Sequence, residues 1–345
     1  MFSPTQVARK VLRTGLGLSA VLSCGVLPAL AQKDVCKMMN LGHLPGATVT
    51  FATGVNASGR IVGVSGTHAF LYANSKMKNI GTLGGANSAA YGINRSNQIV
   101  GNSDTKSGVT HAFLYEGGVM KDLGTLGGAN SFAYGINDLG QVVGQAQTTS
   151  GAYHAFLYQH GYMTDLGSFA GDNSVAYRIN NNGLIVGSSY VNATDFHAFS
   201  YDNGVMKDLG NGPGMTDSEA FGVNDLNEIV GYTENADASQ VRGFLYKNGA
   251  LTELGTLGGN ASFGADINKH QIIAGYSTLG DGNFHSTVYV PRITFDLGTL
   301  PGDVSSFALA MNNSNEIVGY SSTATGESRA YACKFTGGDT DNDGE

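Results

Sequence analysis

The sequence predicts an all-β fold: a seven-bladed β-propeller of four-stranded antiparallel blades, the last blade completed by the N-terminal strand. Three observations predict it. One motif recurs seven times at spacings of 43 to 45 residues. Each copy holds four short strand-like runs, and the two chain ends supply complementary parts of one copy.

The motif has three elements. His111-Ala112-Phe113-Leu114-Tyr115 returns at His68, His154 and His197, and in altered form at Arg242, His285 and Arg329. A Leu-Gly or Ile-Gly pair ends at Gly42, Gly81, Gly124, Gly167, Gly210, Gly255 and Gly298. A third element ends at Gly63, Gly101, Gly144, Gly187, Gly231, Gly275 and Gly319. In the third copy the expected strands are Ser131–Asn137, Gln141–Gln145, His154–Tyr158 and Tyr162–Gly167. These runs are aromatic or β-branched and bounded by Gly and Asn.

The first two strands of each copy join through Asn-x-x-Gly or Asn-x-x-Asn turns, from Asn56, Asn94, Asn137, Asn180, Asn224 and Asn312; the turn from Asn268 ends in Gln271 instead. An Asn side chain bonds the nearby backbone, and Gly or Asn tolerates positive φ, so these asparagines read as structural.

The last copy lacks a fourth strand, and Val35–Gly42 resembles one. Joining the ends in one sheet would hide unpaired edges. Aligned on the repeat, Cys333 takes the place of Tyr115 and Cys36 that of Gly118, the two ends of a four-residue turn. Turn ends lie within disulfide reach, so a Cys36–Cys333 bond is expected, against the alternative of two free thiols.

Residues 1–31 read as an export signal. Arg9, Lys10 and Arg13 precede an apolar stretch, and Ala29-Leu30-Ala31 suits cleavage before Gln32. Lipidation of Cys24 is a weaker variant, since Leu22 fits that motif poorly. Residues 32–336 form the propeller and 337–345 an acidic flexible tail. No segment of the mature chain is expected to span a bilayer, and export places it in the periplasm or outside the cell, where disulfides persist. The net charge of -8 disfavours nucleic acid as a partner. A monomer is expected.

HAFLY at 111–115 and 154–158, DLGTLGG at 122–128, and GIN with VVG at 135–144 resemble the HAF-repeat family of bacterial extracellular repeat proteins. The resemblance covers residues 34–335 and weakens at Arg242-Gly243-Phe244 and His285-Ser286-Thr287. It implies a secreted or surface location and no settled activity.

Five histidines, His68, His111, His154, His197 and His285, begin third strands. With strands ~4.8 Å apart, equivalent side chains in adjacent blades stand on the order of 12–15 Å apart. That is too far for ligands that each need ~2 Å to one ion, so packing or turn hydrogen bonding is expected. The Gly-Thr-Leu-Gly-Gly runs lack the helix and Lys of a phosphate loop and read as links between blades.

These links share one rim with the variable loops 102–110, 145–153, 188–196, 232–241 and 276–284, and this rim is the expected binding surface. Four residues that depart from the repeat are candidates. Arg178 and Asp266 replace an inner-strand glycine and face the channel, while Asp217 and Glu219 follow a longer link. Solvation or a local ion pair is the competing role. In the tail, Asp339, Asp341 and Asp343 alternate before Gly344 like the first half of a calcium loop, without the bidentate Glu that completes one. No other cofactor is expected.

The function these readings support is non-catalytic binding of a carbohydrate or protein ligand at the variable rim. The alternative is a secreted or periplasmic glycan- or peptide-acting enzyme with its site at the channel mouth. No nucleophile–base or metal-binding signature favours the enzyme.

Overall fold

The computed structural model describes residues 35–170, 173–291 and 293–337. The export signal, Cys24 and the tail aspartates Asp339, Asp341 and Asp343 lie outside the described residues.

Five four-stranded sheets form. The first contains β2 (Thr50–Val55), β3 (Ile61–Ser65), β4 (His68–Ala73) and β5 (Lys76–Asn79). Next come β6 (Gly84–Ile93), β7 (Ile99–Thr105), β8 (Thr110–Glu116) and β9 (Val119–Asp122), then β10 (Gly127–Ile136), β11 (Val142–Thr148), β12 (Tyr153–Gln159) and β13 (Tyr162–Asp165). The fourth has β14 (Ser174–Ile179), β15 (Ile185–Tyr190), β16 (Phe196–Asp202) and β17 (Val205–Asp208). The fifth is the seam: β26 (Ser305–Met311), β27 (Glu316–Ser322) and β28 (Ser328–Lys334) take β1 (Met39–Asn40) as their outer strand. Met39 pairs with Ala332 and Asn40 with Tyr331.

The remaining eight strands correct the expectation of seven four-stranded antiparallel blades. β18 (Asp217–Val223), β19 (Ile229–Glu234), β20 (Val241–Lys247) and β21 (Ala250–Glu253) are continuous with β22 (Gly258–Ile267), β23 (Ile273–Leu279), β24 (Phe284–Val290) and β25 (Ile293–Asp296) in one eight-stranded sheet. The propeller therefore has five four-stranded blades and one double sheet. The join is a parallel contact between β20 and β22, Val241 opposite Ala261.

Its cause lies in two side chains. At four other joins a third-strand alanine packs into the same core as a first-strand alanine of the next unit: Ala69 with Ala90, Ala112 with Ala133, Ala155 with Ala176, Ala198 with Ala220. At the join both positions are glycine, Gly243 and Gly264. A Cβ on Gly243 would lie 3.1 Å from the Gly264 nitrogen, so the absent methyls let the two backbones approach.

The other recurrent features serve assembly. The Phe of each HAF triplet is fully buried at Phe70, Phe113, Phe156 and Phe199, each burial worth about 1.5–3 kcal/mol. Ser131 Oγ accepts from Ala112 N–H at 2.8 Å and donates to the Gly124 carbonyl at 2.5 Å, tying link to neighbouring unit. Every first strand bulges, as between Ala133 and Gly135, and presses its carbonyl against the facing strand. A Cβ on Gly144 would run into the Phe132 carbonyl oxygen, which explains the glycine of the third element.

The buried turn asparagines close the circle. Asn56, Asn94, Asn137, Asn180 and Asn224 each donate Nδ2–H to the next asparagine's carbonyl at 2.9–3.1 Å. Asn268 turns instead to Asn315 Oδ1 at 2.8 Å, and Asn312 donates to the Asn56 carbonyl at 2.9 Å, across 256 residues. Beside this seam the expected disulfide is present: Cys36 and Cys333 are bonded with Cα atoms 5.4 Å apart.

Candidate functional site

The histidines do hydrogen-bonding work. His111 Nδ1 lies 2.8 Å from the Asp122 carboxylate, whose Oδ1 also accepts from Gly124 N–H at 2.8 Å. His154 with Asp165, His197 with Asp208 and His285 with Asp296 repeat the arrangement, which locks the start of each link. Among the described residues no three His, Cys, Asp or Glu side chains gather around a common point fit for a metal.

Around the axis the inner strands approach so closely that glycine is favoured: a Cβ on Gly135 would meet the Tyr177 carbonyl oxygen at 2.7 Å. Arg178 and Asp266 stand where this glycine is missing, and the structure brings them together at 4.0 Å. Asp266 also accepts from Met311 N–H and Ile267 N–H, each at 3.0 Å, and Arg178 Nη1 donates to the Tyr134 carbonyl at 3.4 Å. Burial raises the Asp266 carboxyl above its ordinary range, and the Arg178 charge opposes the rise. The pair is a long ion pair between the inner strands β14 and β22, and its hydrogen bonds go to the backbone.

Below it, the turn-side end opens into a cavity of about 200 Å³ lined by the turn asparagines, Asp266 and the turn residues Arg95, Asp138, Asp225 and Lys269. Sequence reasoning overlooked this mouth. Its signal was the residue after each ring asparagine, which varies as Ala57, Arg95, Asp138, Asn181, Asp225, Lys269 and Asn313. Several of these link to one another: Asp138 Oδ1 accepts from Arg95 N–H and Asp225 Oδ1 from Asn181 N–H, both at 2.9 Å.

Above the pair lies the link-side mouth, the expected binding rim. Asp217 Oδ1 accepts from Phe196 N–H at 2.9 Å, as Asn130 does from Thr110 N–H at 3.0 Å and Asn173 from Tyr153 N–H at 2.8 Å. Asp217 therefore performs a strand-positioning task common to the repeat. Glu219 does not. It takes the place of Phe132, Phe263 and Phe307, and Ser188 Oγ donates to it at 3.2 Å.

This mouth has two unlike halves. From Phe221 an aromatic belt runs through Tyr232, Phe263, Tyr276, Phe307 and Tyr320 to Phe51, with successive centroids 4.6–5.6 Å apart. Four of these rings, Tyr232, Phe263, Phe307 and Tyr320, are buried. In the other half Asn102, Gln145 and Ser188 occupy the second-strand positions of those tyrosines. Their first strands carry Tyr91, Tyr134 and Tyr177 one level deeper, with centroids 5.4 and 5.6 Å apart. Gln145 Nε2 donates to the Tyr134 hydroxyl at 3.1 Å. Burial pushes the Tyr91 hydroxyl up to about 12, and burial followed by the Glu219 charge holds Tyr177 and Tyr232 well above the ordinary phenol range. These phenols stay protonated at physiological pH and offer O–H donors.

No family model matches the chain, and no curated protein matches it. Among solved structures it is similar to the putative TolB of Agrobacterium tumefaciens, at 13% identity and a TM-score of 0.51, over 73% of this chain and 96% of that one. It is also similar to a puromycin-hydrolyzing peptidase of Mycobacterium tuberculosis, at 10% identity and 0.53, over 84% of this chain and 52% of that one. A puromycin hydrolase matches at 12% identity and 0.56, over 85% and 52%. The chain thus spans about half the length of these two hydrolases. At such identities the likeness shows the fold, a β-propeller.

Proposed function

We propose that the chain is an exported, monomeric, non-catalytic binding protein of the HAF-repeat kind, taking a carbohydrate or protein ligand at its link-side mouth. The observation that carries this reading is the unequal mouth. The framework repeats around the ring, yet one half replaces the second-strand tyrosines by amides and a hydroxyl, and a first-strand phenylalanine by the Glu219 carboxylate. Scaffolds commonly concentrate recognition in such departures at one rim. The Cys36–Cys333 bond supports export, because such bonds persist in oxidising compartments. No helix among the described residues is long and apolar enough to cross a membrane.

The test exposes the purified protein to a glycan array and to an envelope-protein pull-down, each with and without calcium. Saturable binding without product formation is the expected result, and a calcium requirement would implicate Asp339, Asp341 and Asp343. Release of a hydrolysis product, lost on replacing Arg178 or Asp266, would replace this reading by the enzyme.

A further inference from the structure

Asn102 is a side chain of the mouth whose structural account is incomplete. Its Oδ1 is buried and accepts no hydrogen bond. A buried amide oxygen without a donor costs stability, so it calls for an explanation. Packing does not demand an amide there, because the same position holds Val64 in the first unit. Gln145, its counterpart one unit on, is satisfied by Tyr134, and Ser188 by Glu219. Tyr91 stands to Asn102 in sequence as Tyr134 stands to Gln145.

Ala89 and Val175, on either side of Phe132, replace the phenylalanines of the belt, and Ala89, Tyr91, Asn102, Gln145, Tyr177 and Glu219 are all half-buried. The arc therefore offers phenol and amide donors, a buried amide acceptor, a carboxylate and aromatic rings within one crescent. A ligand that matches it carries several hydroxyls, each both donor and acceptor, on a compact ring with apolar C–H faces for the tyrosines.

We propose that this arc, centred on Asn102, is a sugar-binding subsite in which the half-buried Asn102 amide turns so that Oδ1 accepts a hydrogen bond from a hydroxyl of a neutral hexose unit. The proposal rests on binding at the link-side mouth and adds the ligand class and its anchor. A hexose unit brings the donor that the buried amide lacks, and its apolar face lies on the tyrosine rings.

The test compares the wild type with Asn102→Val on an array of neutral and charged glycans, alongside thermal melts. The expected result is wild-type binding to a neutral glycan, at least tenfold weaker in the variant, with a melting temperature equal to or above the wild type. Unchanged glycan affinity in Asn102→Val would overturn the subsite and leave the binding function standing. Binding of an envelope protein but of no glycan would likewise overturn the sugar assignment alone. If Asn102→Val does not fold, Tyr91→Phe removes only a hydroxyl; at least threefold weaker glycan binding is expected, and unchanged affinity would overturn the proposal.

Discussion

The two halves of the propeller mouth share one backbone plan and differ in what fills it. In the half running from Phe221 to Phe51, rings interleave from strand to strand and leave little for solvent to reach. In the half running from Ala89 to Glu219, small and polar side chains sit at most of the same positions, Phe132 excepted, and the buried Asn102 Oδ1 is left without a donor. The join of the double sheet lies in the closed half, where Gly243 and Gly264 let β20 approach β22. The difference teaches that drift in this repeat has followed two courses: one tightens the wall, and the other opens a polar crescent at some cost in stability.

The largest effect tests what both halves depend on. Replacing Cys36 and Cys333 with serine should cost about 2–5 kcal/mol, read as a fall in the urea midpoint. The circle also rests on the closing Asn312–Asn56 bond, so the variant should melt earlier while keeping its β-sheet circular dichroism.

The framework glycines come next. Gly144→Ala in the open half and Gly275→Ala in the closed half both push a methyl onto a first-strand carbonyl oxygen, of Phe132 and Phe263. Each should cost about 3 kcal/mol, and the two costs should agree within about 1 kcal/mol. A large disagreement would show that the halves differ in framework as well as in mouth.

A smaller effect of opposite sign separates them. Asn102→Val should stabilise the protein by about 1 kcal/mol, because it removes a buried acceptor without a donor. Tyr276→Phe, in the closed half, keeps its ring contacts and should change stability by less than about 0.5 kcal/mol.

The smallest effect concerns the pair that joins the halves, Arg178 from one and Asp266 from the other. Burial raises the folded-state pKa of Asp266 above its unfolded value of ~3.9. The fold thus prefers the neutral carboxyl: this contribution is complete below the unfolded value and is lost as pH climbs through the raised one. Asp266→Asn abolishes that dependence. Its melting temperature relative to wild type should therefore rise between pH 3.5 and 7, whatever constant offset the unpaired Arg178 adds.

Much of the fold was legible because each recurring residue answers a local geometric need. The turn asparagines, the bulge-facing glycines and the paired placement of Cys36 and Cys333 each show in the sequence as a spacing. The double sheet was not legible in the same way. Its signal, glycine for alanine at 243 and 264, matters only once these positions are known to face each other across a join. Of the candidate residues, Arg178 and Asp266 approach each other at 4.0 Å, and Asp217 shares its task with Asn130. Asn102 was assigned to the start of a variable loop, yet it lies within β7, opposite Ala89. Its significance comes from a missing hydrogen bond, which no sequence pattern displays.

Hydrogen–deuterium exchange, with and without the neutral glycan that binds most tightly on the array, tests the unequal mouth most directly. The account predicts slowed exchange in β7, β11 and β15, with β23 and β27 unchanged. Protection centred on β23 and β27, or spread evenly around the ring, would contradict it.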